Sequence, residues 1–396
     1  MMQKFLRKFP ASILAAGVAI QIFTGVPAAW GVFQRSVCEG YRLDEAQASL
    51  IFSLTIFSFG IGCVIGGFLQ DKKGPRIAGL CGTVLLGAGF IAAAFVPRAA
   101  PFAFYGAFSA PVGLGCAFLY PAVMSCAQKW YADKKGFATG IIGAAVGASG
   151  AVLTLLGTFL IRTWNIRTAF WSLGIIMSVI CGISCIFLEN PTESAAQKPQ
   201  KSKYAAREIT LSQLFHTPQY WLLSAAVAFA TPAVLLFSPL VVELAQTRGL
   251  PEIAALGCIV AGSAASAAGR LSMPWLSDKI GRRATDLWLF AALFALSFVF
   301  WNAENWLFLL TYSALTFCYS GEAAVLPAAV TDLFGMEHAG IHYGFVALGM
   351  SAGSLAFPLI ANYFQNTAAR HVLAMAAAAA GFVCIWLLKP ARGQTL

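Results

Sequence analysis

The sequence predicts an all-α polytopic membrane protein, with twelve transmembrane helices in two pseudo-symmetric halves of six. Three observations predict it. The 396 residues are 59% hydrophobic and only 11% charged, with a mean hydropathy of +0.75, whereas a soluble globule carries about 25% charged residues. Apolar runs of about 20 residues, the length that crosses the bilayer core, recur twelve times. The first six runs and the last six also carry matching landmarks in the same order.

The runs lie near 12–34, 47–69, 77–96, 101–126, 137–160 and 168–188, then 219–242, 252–276, 286–303, 306–328, 341–363 and 370–388. Each must be helical, because lipid offers an unpaired backbone N–H or C=O no partner. Between the sixth and seventh runs, the Pro, Gln, Ser and Lys content of 189–218 marks a flexible cytoplasmic linker. Within it, 210–215 reads as a short amphipathic piece lying on the inner membrane face. The expected units are therefore a half at 1–188, the linker, and a half at 219–396.

Loop charge sets the orientation. With both ends inside, 18 Lys and Arg residues face the cytoplasm and 7 face outside, and Arg270 lies within a run. That bias predicts cytoplasmic N- and C-termini, and a bacterial inner membrane is the expected location. Lys4, Arg7 and Lys8 precede a first run too long for a signal-peptide core, so none is expected. The net charge of +10 is spread through these loops without interleaved aromatics, which gives no footing for a nucleic-acid partner. Nine of the ten cysteines fall in apolar runs, none in a C-x-x-C pair, and so act as small apolar residues. His338 and His342 are four apart but have no third ligand nearby. Neither a metal nor a cofactor is expected.

The halves repeat. Asp71-Lys72-Lys73-Gly74-Pro75-Arg76 follows the second run, and Asp278-Lys279-Ile280-Gly281-Arg282-Arg283 follows the eighth, 207 positions later. Pro121 and Pro327 are 206 apart, and Pro27 and Pro232 are 205 apart. Each charged turn has a Gly that permits a tight reversal, an Asp before it and an Arg after it. Two readings stay open for Asp71, Arg76, Asp278, Arg282 and Arg283: an inter-helix latch that breaks and re-forms, and plain topology marking.

Six-helix halves with a D-x-x-G-x-R turn after spans two and eight resemble the major facilitator superfamily. Within it, the chain is similar to the oxalate/formate antiporter family and the related monocarboxylate transporters. The residues that carry this are Trp130-Tyr131-Ala132-Asp133-Lys134-Lys135-Gly136, Thr217-Pro218-Gln219-Tyr220-Trp221, Gly269-Arg270, Pro327-Ala328-Ala329-Val330-Thr331-Asp332 and His342-Tyr343-Gly344. The resemblance covers nearly the whole chain. It implies a secondary transporter with its site near the bilayer midplane, between the halves. A monomer is expected.

Arg270 sits among Ala267, Ala268, Gly269 and Leu271. A guanidinium there costs roughly 2.5–3.5 kcal/mol on insertion scales, which marks a functional site by default. Its planar fork matches a carboxylate; the competing reading is an ion pair between helices. In the resembling families the arginine at this place binds the substrate carboxylate. The oxalate carriers also have a lysine on span eleven, at the place of Leu348 here, so the resemblance favours a monocarboxylate over a dianion. Ala28 and Ala29, where the family often has an aromatic, imply room for a substrate larger than formate.

Tyr120 and Glu322 complete the candidates. Arg270 lies seven residues before Ser277, Glu322 eight before Val330, and Tyr120 eight before Gln128. At ~1.5 Å per residue their depths agree within about 2 Å. Tyr120 can donate a phenol to a carboxylate, or merely pack. Glu322 is the candidate for proton coupling, because a low-dielectric site disfavours its charged form; a fixed brace with Arg270 is the other reading. The expected function is a secondary transporter of a small monocarboxylate (lactate, pyruvate or formate-like) by alternating access, coupled to protons. Organic-anion exchange of the oxalate/formate type is the alternative. A membrane-embedded enzyme or sensor is disfavoured, since no zinc motif and no paired intramembrane aspartates are recognised.

Overall fold

The computed structural model describes residues 10–97, 100, 102–131, 135–191, 209–335, 338–364 and 367–388. Most of the linker (192–208) lies outside the described residues, as do Lys4, Arg7, Lys8 and Lys134 and the stretch 389–396.

The first crossing is broken. Helix α1 (Ala11–Thr24) and helix α2 (Trp30–Tyr41) are joined by a 3-10 turn at Val26–Ala29 and bent by 46°. Pro27 stands in the first turn of that 3-10 segment, where its fixed φ fits and its missing N–H costs nothing. Five unbroken helices follow: α3 (Glu45–Lys73), α4 (Pro75–Phe95), α5 (Ala110–Trp130), α6 (Lys135–Thr163) and α7 (Ile166–Cys185). A short α8 (Leu211–Phe215) is started by a reciprocal capping box between Thr210 and Gln213 and buries Leu214.

The seventh crossing is also interrupted, although it runs as one span over Pro218–Thr247 without the sharp bend of the first. It consists of α9 (Pro218–Ala230), α10 (Pro232–Leu235) and α11 (Val241–Thr247), with Pro232 at the break. Then come α12 (Glu252–Ile280), α13 (Arg282–Trp301), α14 (Asn305–Phe334), α15 (Ala339–Tyr363) and α16 (Thr367–Leu387). Among the described residues, ten segments are long and apolar enough to cross a membrane, and the bent α1–α2 pair makes an eleventh. Helix α14, 30 residues long, is the twelfth crossing; Tyr312, Tyr319 and Glu322 dilute its hydropathy.

The repeat shows in the backbone. Gly74 and Gly281 hold φ of 87° and 94° in the two charged turns, a region an L side chain rarely adopts. Buried side chains form one cluster from Ile13 to Leu188, joined by Leu235, and another from Leu214 to Leu388. Two seams join these clusters, and both run from mid-depth toward the end that carries the charged turns. In one, α6 lies on α12 so closely that a Cβ on Gly147 would overlap the Ala267 backbone. In the other, α3 lies on α15, and a Cβ on Gly344 would come within 2.7 Å of the Cys63 carbonyl. Small residues let helices approach this closely.

Candidate functional site

A cavity of ≈ 170 Å³ lies where the broken helices α1–α2 and α9–α10 meet α12, α14 and α15. Both breaks face it: Gly25, Pro27 and Ala28 from one, Val234 and Leu235 from the other. The first break lines it with the small residues Gly25 and Ala28. The rest of the wall is apolar, with Ile56, Phe59, Val146, Ile259 and Met350 among its residues.

Arg270, on α12, reaches this cavity. It is half-buried, and its Nε is buried with no hydrogen-bond partner. Among the described residues that line the cavity, Arg270 is the only cation. It is an ionised donor in an apolar wall with unused hydrogen-bonding capacity.

Tyr120 of α5 is 5% exposed and lines the same cavity. Its hydroxyl interacts with the Arg270 guanidinium and with the Tyr343 hydroxyl. The rings of Tyr120 and Tyr343 are stacked, centroids 5.9 Å apart at 24°. Sequence reading used Tyr343 only as a landmark, because an aromatic in an apolar helix looks like packing. Tyr319 was missed for the same reason; it lines the cavity, with its hydroxyl 3.6 Å from the Met350 sulfur. Ser266 and Ser320 add a hydroxyl pair at 2.7 Å.

Glu322 is 3% exposed but does not line the cavity; its chain neighbours Ser320 and Ala323 do. It feels the charge of Arg270, yet the two close no ion pair within 4.0 Å among the described residues. The carboxylate thus stands one layer behind the guanidinium. Asp286 of α13, 4% exposed, is a second buried acid near Glu322. The sequence hid it, because it stands only three residues from the end of the charged turn. The one signal was periodicity: Leu289 and Leu293, buried on the same helix, place Asp286 on the inner face.

Leu348 is half-buried and stands outside the cavity lining; on α15, Tyr343 and Met350 line it instead. These two are seven residues apart and share a face, and Leu348 points about 140° away from Tyr343 at 3.6 residues per turn. A second cation on this helix would therefore act from position 350. Met350→Lys is expected to improve oxalate binding relative to pyruvate by about tenfold or more, given ~1.5–3 kcal/mol for a hydrogen bond to a charged group. Leu348→Lys should leave that ratio unchanged. Competition binding to the purified variants reads both outcomes.

The five residues of the charged turns divide. Arg76 pairs with Glu189 at 2.8 Å. Arg282 holds Asp278 at 2.5 Å and Asp332 at 3.1 Å. Arg283 donates to the carbonyls of Ile385 and Trp386. None of these contacts joins the two halves: Arg76 meets the start of the linker, and the others stay within the second half. Asp71 alone reaches across: Gly340 packs on its carboxylate, which meets the Ile341 backbone N–H at the start of α15. A negative charge there is favoured by the helix dipole and its unpaired N–H groups.

Two further spaces flank the cavity. Toward the charged turns, beyond the stacked tyrosines, a space of ≈ 30 Å³ is lined by Gln128 and Thr331, and Tyr120 and Tyr343 form the wall common to both. At the opposite end, ≈ 650 Å³ opens between α2, α6, α11 and α12, with Arg35, Arg162, Glu243 and Glu252 on its walls. Gly31, facing Ile259 and the Ser238 and Pro239 carbonyls, stands between that space and the cavity.

Comparison with known proteins agrees with this layout. Residues 11–301 match the family model of the Major Facilitator Superfamily. The chain is 24% identical to the oxalate:formate antiporter of Oxalobacter formigenes, over 90% of this chain and 86% of that one. It is 22% identical to monocarboxylate transporter 13 of Rattus norvegicus, over 93% and 85% respectively. Among solved structures, a proton:xylose symporter superposes with a TM-score of 0.72 at 15% identity, over 98% of each chain, and FucP in its outward conformation with 0.69 at 14%, over 96% of this chain and 99% of that one. Two sets of six crossings around one central cavity, and a family match over most of the chain, lead to one conclusion: the protein is a multi-pass membrane transporter that belongs to the major facilitator superfamily.

Proposed function

We propose that the protein moves a small monocarboxylate across the membrane by alternating access, with a proton as the coupling ion. The observation that carries this reading is Arg270, the cation of an otherwise apolar and hydroxyl-lined cavity, with an unpartnered buried Nε. One guanidinium neutralises one carboxylate, and the Tyr120 phenol adds a donor from the other half. Phe59, Val146 and Met350 suit a short carbon chain. The similarity to an oxalate:formate antiporter and a monocarboxylate transporter points the same way. The two six-helix units would rock about the glycine seams, with Asp71 on the α15 N-terminus as the contact broken and re-made between them.

Counterflow of labelled pyruvate, lactate or formate in proteoliposomes tests the reading. Saturable counterflow is expected; its absence for all three overturns the substrate class. Counterflow that survives while a pH gradient drives no accumulation would favour the anion-exchange alternative.

Orientation is part of the proposal, supported by the 18-to-7 bias of basic residues. The charged turns then face the cytoplasm, and the ≈ 650 Å³ space faces outside. A reporter fused after Leu396 should be active only in the cytoplasm; activity on the other side refutes this topology.

A further inference from the structure

Asp286 has no part in the mechanism above. It lies in the second turn of α13, on the face that buries Leu289, Leu293 and Phe300, and its Oδ1 has no hydrogen-bond partner. The nearest cation along the chain is Arg282, one turn earlier. That guanidinium is already engaged by Asp278, Asp332, the Ser277 hydroxyl and the Pro274 carbonyl. Asp286 is thus a third acid beside a cation that two others have neutralised.

Glu322 is the neighbour on the next helix. Helices α12, α13 and α14 converge at Gly321, where Met273 and Leu289 close in on the backbone one residue before Glu322. The two carboxyls act on each other electrostatically. The charged groups that bear on Asp286 are Glu322 from α14 and Arg282 from its own helix. Helix α12 brings Asp278, which is held by Arg282. Helix α16 packs its Gly381 on Phe290 and its Ile385 carbonyl on Arg283, which leaves Cys384 as its titratable residue at this level.

An ionised carboxylate buried without a partner costs several kcal/mol, and a second buried acid on the next helix disfavours its charge further. A metal ion does not resolve this: no group of three or more ligating side chains occurs among the described residues. A proton does. We infer that Asp286 is a second proton-binding carboxyl, on α13, buried between the level of Glu322 and the charged turns. A proton released at the depth of Glu322 therefore meets a second buried acid on the side of the bundle that carries Arg282. The direction of that movement rests on the proton-coupled reading; the buried proton itself does not.

Infrared spectroscopy of the purified protein, compared in H₂O and D₂O at neutral pH, tests this without any substrate. A deuterium-sensitive carbonyl band of a protonated, water-shielded carboxyl is expected in the wild type. It should be lost in Asp286→Asn and displaced in Asp286→Glu, which keeps an acid there if the Asn variant does not fold. No such band in the wild type, or a band unmoved by both substitutions, overturns the proposal. In proteoliposomes, Asp286→Asn should also lose pH-gradient-driven accumulation of pyruvate, and retained accumulation counts against it. A wild type that shows the band but no proton-driven uptake would sink the symport reading and leave the proton site standing.

Discussion

Arg270→Lys should weaken pyruvate binding by about 10- to 100-fold while the protein still folds. The lost quantity is a bidentate, charge-assisted contact, roughly 1.5–3 kcal/mol for a hydrogen bond to a charged group, and each 1.4 kcal/mol is tenfold in affinity. Lysine keeps the charge but has a compact, strongly hydrated head that cannot fork around a carboxylate. Folding should survive because Arg270 closes no ion pair among the described residues and its Nε is idle. Binding to the purified variant, together with its melting temperature, reads the result. Wild-type affinity would remove the assignment, and a collapse of stability would make Arg270 a structural brace.

The second large effect belongs to Glu322. In Glu322→Gln, pyruvate uptake against its gradient should be lost, while exchange between equal pools continues. Glutamine keeps the size and hydrogen-bonding shape of the side chain but cannot take up a proton. In the proposed cycle, a carboxylate that binds Arg270 would remove the electrostatic compensation of Glu322. That group is 3% exposed, and leaving it ionised and alone would be costly. Substrate and proton would then travel together. The absence of a closed ion pair with Arg270 supports this, since a fixed brace would resist the change. Uphill uptake that persists in Glu322→Gln in proteoliposomes with an imposed pH gradient would refute the coupling role.

Sequence reading reached the architecture because the bilayer constrains it so strongly. Spans must be apolar, helical and about 20 residues long, and the charged turns repeat with glycines whose φ values now match, 87° and 94°. Arg270 was legible for the same reason: a guanidinium in an apolar run is costly enough to need an explanation. Tyr343 and Tyr319 were not legible, since tyrosine crosses a membrane at little cost and its role depends on which face it occupies. Leu348 shows the limit most plainly. A landmark fixes position along a helix, but each residue turns the side chain by about 100°, so an alignment slip of two positions exchanges a cavity residue for a half-buried bystander. The breaks in α1–α2 and α9–α10 lie between these cases. Pro27 and Pro232 were legible as matched landmarks of the repeat, but that both breaks would turn toward one cavity was not.

The wall that Tyr120 and Tyr343 share between two spaces separates two duties that a transporter must perform. An aromatic pair is worth about 0.5–1.5 kcal/mol beyond the area it buries, too little to decide which way the molecule faces. Under the proposed alternating access, the long glycine seams, which would part as whole surfaces, would set that balance instead. The tyrosine pair would then act as a valve rather than a spring: it would determine what leaks past, not how often the molecule turns over. One leaf of this valve touches Arg270, so an occupied site and a sealed exit are sensed by the same hydroxyl. Trimming Tyr343 should therefore appear first as slippage, with pyruvate and protons escaping their fixed ratio, and only later as a slower cycle.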